Sequence, residues 1–125
     1  MGIQSSVISE YQLTIHTAQG ELQFNEVVTT LSAFFANEPT TNVLWDLREA
    51  VLTRLTGDQI RIFVEFAAQR NVTRQGGRTA LLVSERVGDY SMVRMVEILG
   101  NMLGPNVEGV IFHDYEEAMQ WLRQE

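Results

Sequence analysis

The chain has 125 residues and a mass of 14.2 kDa, the size of one compact domain with a single core. It has no cysteine, and all nine basic residues are arginines, which excludes disulfides, thiolate metal sites, cysteine nucleophiles, Schiff-base lysines and a P-loop lysine. Sixteen acids against nine arginines give a formal charge of −7, a poor match to nucleic acid or an anionic membrane, and the 45% hydrophobic fraction is that of an ordinary globular domain.

Residues 1–8 show no periodic pattern and are expected to be a flexible N-terminus. They carry no basic region and no long apolar stretch, so a cytoplasmic location is the expectation. Over residues 11–17, Leu13 and Ile15 alternate with Gln12, Thr14 and His16, the period of a half-buried strand, and Gly20 breaks the run. Asn25 is placed to cap a helix whose apolar stripe is Val27, Val28, Leu31, Phe34 and Phe35, and Pro39 ends it. Val43-Leu44-Trp45 is a continuous apolar run closed by Asp46, as in a strand covered on both faces.

The longest helix is predicted over residues 56–74. Thr56 and Gln59 make a capping box, Leu55 and Ile60 a hydrophobic staple, and Ile62 and Phe66 widen its apolar surface beyond what one sheet face requires. Gly76-Gly77 stop it, and residues 78–84 form the third strand. A helix capped by Asp89 then carries Met92, Met95 and Met102 on one stripe, and Gly104-Pro105 terminate it. Val110-Ile111-Phe112 is the fourth strand, and Asp114 with Glu117 opens the last helix. Four strands alternating with four helices imply right-handed crossovers and a mostly parallel sheet flanked by helices, an α/β domain spanning residues 1–125.

Ligands of open parallel sheets favour the crevice beyond the carboxyl ends of the strands. That rim would gather His16, Asp46, Arg48, Ser84 and His113, with Tyr90 in the loop after the third strand. A hydrolase reading pairs His113 with Asp46 or Asp114 and takes Ser84 as nucleophile, but Ser84 is followed by Glu85-Arg86 and has no nucleophile elbow. Two histidines far apart in sequence and scattered acids give no metal-ligand spacing, so neither metal nor cofactor is expected. Arg70, Arg74 and Arg78 form a local run of positive charge that either complements the end of the long helix or docks an acidic partner.

The runs Val43-Leu44-Trp45-Asp46-Leu47-Arg48, Gly77-Arg78-Thr79-Ala80-Leu81-Leu82-Val83-Ser84, and Val110-Ile111-Phe112 leading into Glu116-Glu117-Ala118-Met119-Gln120-Trp121-Leu122 resemble the SpoIIAA-like fold of STAS domains, more distantly related to CRAL-TRIO lipid-binding domains. The resemblance covers about residues 9–123 and looks most like small stand-alone bacterial members. It implies a four-unit strand–helix superhelix and a non-catalytic regulatory role in signalling, exercised by binding a protein partner. The phosphorylated Asp-Ser-Ser-Gly motif of STAS antagonists would fall on Arg54-Leu55-Thr56-Gly57, where only Thr56 and Gly57 are compatible, making Thr56 the candidate phosphorylation site. The wide surface at Ile62 and Phe66 and the stripe of Met92, Met95 and Met102 suit a homodimer or partner contact. The alternative from the CRAL-TRIO side is a carrier or sensor of a small apolar ligand, lined by Phe34, Phe35, Phe63, Phe66 and the methionines.

Overall fold

A computed structural model describes residues 2–84 and 107–124. The predicted helix after Asp89, with Tyr90, Met92, Met95 and Met102, lies outside the described residues. Five strands form one sheet: β1 (Gly2–Ile8), β2 (Leu13–Glu21), β3 (Asn42–Val51), β4 (Gly77–Leu82) and β5 (Val107–Phe112), in spatial order β1-β2-β3-β4-β5. β2 to β5 pair in parallel, as the strand–helix alternation requires. The departure is at the N-terminus. Instead of a flexible segment, Gly2–Ile8 is an edge strand antiparallel to β2, with Ser5 opposite His16. Its polar run escapes a hydrophobic-period test because most of the strand faces solvent.

Helix α1 (Phe24–Ala36) opens at Gln23, which makes a reciprocal capping box with Glu26; Asn25 lies inside the first turn and is not the cap. Helix α2 (Gly57–Arg70) is capped by Thr56 as its sequence dictates. The Gln59 N–H donates to Thr56 Oγ1 at 3.1 Å, and the Thr56 N–H donates to Gln59 Oε1 at 3.0 Å. The α-helix stops earlier than its periodicity suggests, at Arg70, and tightens into a 3₁₀ turn over Asn71–Arg74. Helix α3 (Tyr115–Arg123) is capped by Asp114, which accepts from the Glu116 N–H at 2.9 Å; Glu117 takes no part in that cap.

The sheet buries both faces. On one side Ala18, Leu22, Val27, Leu31, Leu52, Leu55 and Ile60 join β2 and β3 to α1 and α2. On the other, Leu13, Leu44, Ala80 and Leu82 pack against Ala118, Met119 and Leu122 of α3. β2 therefore departs from its apolar-in, polar-out pattern: Thr14 and His16, which alternate with Leu13 and Ile15, are buried, His16 against Phe34 of α1. Thr14 is accommodated by a 2.7 Å hydroxyl–hydroxyl bond to Thr40, whose O–H donates to the Asn42 carbonyl, so that Thr14 is the donor between the two. At the start of β4 a Cβ on Gly77 would overlap the carbonyl oxygens of Thr41 and Arg74, so contact requires that glycine, while Gly76 is favoured by its left-handed φ of +77°.

Candidate functional site

The strand register sets Asp46, Leu82 and Phe112 side by side, so Asp46, Ser84 and His113 lie near one another's strands, towards the carboxyl ends of β4 and β5. Asp46 is held by Arg48, whose Nε and Nη2 donate to its two oxygens at 2.9 and 2.8 Å, while the guanidinium lies 5.5 Å from the Tyr115 ring. This fork sits where the β2–β3 register shifts between Thr17 and Gln19. It holds the Asp46 carboxyl below its ordinary value, although partial burial opposes the shift. Asp46 is thus committed to Arg48 and not to orienting an imidazole. His113 is exposed in the turn after β5, and among the described residues it has neither a hydroxyl nor a carboxylate within hydrogen-bond reach. Ser84 is half-buried just past β4. Among the described residues no hydrogen bond joins His113 to Asp46, so a Ser84–His113–Asp46 relay is not made.

His16 is not at the rim at all. It sits in the middle of β2, paired with Trp45 of β3, and it is 2% exposed. Its ring lies 4.4 Å from that of Trp45 and 5.6 Å, edge-on, from that of Phe34. It looks into a cavity of about 180 Å³ between α1, α2 and the sheet. The cavity's described walls are apolar, including Leu31, Phe34, Trp45, Phe63, Leu81 and Ile111, with a small polar group at His16, Asn71, Thr79 and Arg74. Of the expected aromatic lining, Phe34, Phe35 and Phe63 are there. Phe66 instead packs beside Phe35 and beneath the guanidinium of Arg70, 3.6 Å above its ring.

The polar group is unusual in what it lacks. His16 Nδ1 is 2.7 Å from Ser5 Oγ, but its Nε2 is buried with no partner among the described residues. Asn71, 1% exposed, accepts through Oδ1 from Arg74 Nη1 at 3.2 Å, while its Nδ2 is equally buried and without a partner. Each such unmade bond costs about 1–3 kcal/mol, and buried polar groups are seldom left so. Burial, with a smaller contribution from the nearby Arg74 charge, pulls the His16 pKa from 6.5 down to about 4, so the ring is neutral at pH 7.

Arg74 overturns the expected surface patch. It is 4% exposed and donates to the carbonyls of Thr40, Thr41 and Arg78 and to Thr79 Oγ1 at 3.0–3.2 Å. No carboxylate among the described residues pairs with it; the ion pairs there are Arg48–Asp46, Arg54–Glu21 and Arg61–Asp58. Desolvation lowers its pKa to about 10, so it remains a buried cation at neutral pH. Arg78 turns the other way and donates to the Trp121 and Gln124 carbonyls at the end of α3. Arg70 donates to the Phe66 carbonyl of its own helix. The three arginines thus serve three separate local tasks. Sequence patterning missed this site because it read Arg74 as a helix-end surface charge and His16 as a polar outward position. The available signal was Thr14 and His16 in a strand later sandwiched by two layers.

Of the remaining candidates, Thr56 is exposed at the start of α2, and Ile62 is 47% exposed on its outer side. Among the described residues no group of three or more His, Asp or Glu is placed to hold a metal ion, and no helix is long and apolar enough to cross a membrane.

No family model and no curated protein matches the sequence. Two solved structures share its architecture over nearly the whole chain. One is a DUF3478-family protein of Shewanella loihica PV-4 with a SpoIIAA-like fold, at 17% identity and a TM-score of 0.57, covering 97% of this chain and 94% of that one. The other is the anti-sigma factor antagonist SpoIIAA in its unphosphorylated form, at 16% identity and a TM-score of 0.54, covering 99% of this chain and all of that one.

Proposed function

We propose that this chain, which has the SpoIIAA-like fold, is a non-catalytic binding module whose recognition element is the cavity between the α1–α2 pair and the sheet. The observation that carries this reading is the cavity itself. The space is a half-open pocket and not a sealed void, and an apolar cavity of about 150 Å³ is already enough to take up benzene. At about 180 Å³, lined by Leu31, Phe34, Trp45 and Phe63, the space here suits a ligand of one ring or a short branched chain. The lining draws on α1, α2 and four strands, so occupancy stiffens the layer that also presents Thr56 and Ile62. Sequence patterning put a protein partner first; the cavity moves the weight to a small ligand. The test is a thermal melt with and without toluene, read alongside Trp45 fluorescence. A rise in Tm together with a shifted Trp45 emission supports the module, and unchanged values for both at saturating toluene would sink it.

A second reading rests on Thr56. The anti-sigma factor antagonist with the same fold has an unphosphorylated form, hence a phosphorylated one. Thr56 here is exposed at a helix N-terminus, where a phosphate would meet the positive end of the helix dipole. Phosphopeptide mass spectrometry of the protein purified from its own cell tests this, and consistently unmodified Thr56 would remove it.

A further inference from the structure

We infer that the ligand of this cavity is a small amphipathic carboxylate, its anionic head set among Arg74, Asn71 and His16 and its apolar body against Trp45 and Phe34. The inference rests on the reading of the cavity as a binding site and adds the chemistry of the head group. The described lining is otherwise apolar, and its polar part is His16, Asn71, Thr79 and Arg74, with Arg74 bonded to both Asn71 and Thr79. Asn71 Nδ2 is a donor with no acceptor, and His16 Nε2 is a buried nitrogen with no partner. Arg74 is a buried cation with no carboxylate among the described residues, and it is tied to Asn71 through the 3.2 Å bond from Nη1 to Oδ1. Phe34 touches both ends of the group, its ring being 5.6 Å from that of His16 and 5.7 Å from the Arg74 guanidinium.

A carboxylate answers all three at once. It accepts only, through two oxygens, so it takes the Asn71 amide N–H and a His16 Nε2–H while its charge balances Arg74. An alcohol has a single oxygen and no charge to offset the guanidinium. A cationic head would meet Arg74 with like charge. The His16 ring is ready for either state, because Ser5 Oγ can donate to Nδ1 or accept from it. Carboxylate binding selects the tautomer with the proton on Nε2 and with Ser5 donating to Nδ1.

The test uses the intact protein and three probes of one shape: benzoate, benzyl alcohol and toluene. Calorimetric titration at pH 7 is expected to give benzoate at least tenfold tighter than benzyl alcohol. In ¹⁵N-histidine NMR, benzoate should fix His16 as the Nε2–H tautomer. Benzoate binding no tighter than benzyl alcohol, or an unaltered His16 spectrum at saturation, overturns the carboxylate assignment while toluene binding leaves the cavity reading in place. If none of the three binds, both fall. As a further arm, Asn71→Leu should cut the benzoate-to-alcohol preference at least fivefold; a preference kept intact in this variant, or in His16→Phe should Asn71→Leu not fold, also overturns the assignment.

Discussion

His16 and Arg74 show what burial does to ionisable groups on opposite sides of neutrality. Burial pushes both pKa values down, yet only His16 is driven across the physiological range. Its unfolded value of 6.5 lies above its folded value of about 4, so between those limits the unfolded chain binds the extra proton. Stability from this group is complete above about pH 6.5 and drains away as pH falls towards 4, by at most about 3 kcal/mol. Urea titrations across that window should show this slope in the native protein and a flatter one in His16→Phe; parallel curves would mean that His16 titrates normally. Arg74 makes a different point. Its guanidinium, itself 4% exposed, serves the carbonyls of Thr40, Thr41 and Arg78, the first of them in a fully buried bond. Arg74→Met should therefore lower the unfolding free energy by about 3 kcal/mol or more, well beyond the loss of a surface arginine. Equilibrium denaturation measures it directly.

Helices and strands here are set by a few local devices. The Thr56–Gln59 box starts α2 with two reciprocal bonds on an exposed surface, and Thr56→Ala should cost about 1 kcal/mol with the fold intact. At the other end of the same unit, Gly77 is required by contact and not by dihedral preference. A methyl group there would press on the Thr41 and Arg74 carbonyls and part β4 from the turn before β3. Gly77→Ala should destabilise by about 3 kcal/mol, several times the Thr56→Ala effect, as judged by the two denaturation midpoints. The Arg48–Asp46 fork, by contrast, lies on a partly exposed rim. Its short bonds orient the middle of β3 more than they hold it, and Arg48→Ala should cost under about 1 kcal/mol.

The whole molecule is a sheet with a helical layer on each side, and its surface is strongly acidic. A net charge of −7 with only three ion pairs among the described residues means that self-repulsion opposes compaction. Raising ionic strength from about 0.01 to 0.15 M shortens the screening length from roughly 30 to 8 Å, so Tm should rise by about 3 °C. A scanning calorimeter would register an unchanged or falling Tm if this repulsion were unimportant. A small anion entering the cavity meets the same overall charge, and it is the local cation at Arg74 that would hold it.

The parallel pairing of β2 to β5, the capping box at Thr56 and the cap at Asp114 were legible in the amino-acid order. Each depends on neighbours within a few residues, and the 3.6- and 2-residue periods report them directly. Three features were not legible. β1 exists because β2 offers it an edge, not because its own residues alternate. His16 is buried because α1 covers the face of β2 that its polar residues seemed to claim for solvent. Arg74 is separated from Arg70 and Arg78 because the chain tightens at Asn71 and drives that one guanidinium beneath the turn before β3. Such outcomes are decided by packing between segments distant in sequence, where one layer's position sets another residue's solvent, and no local pattern encodes that.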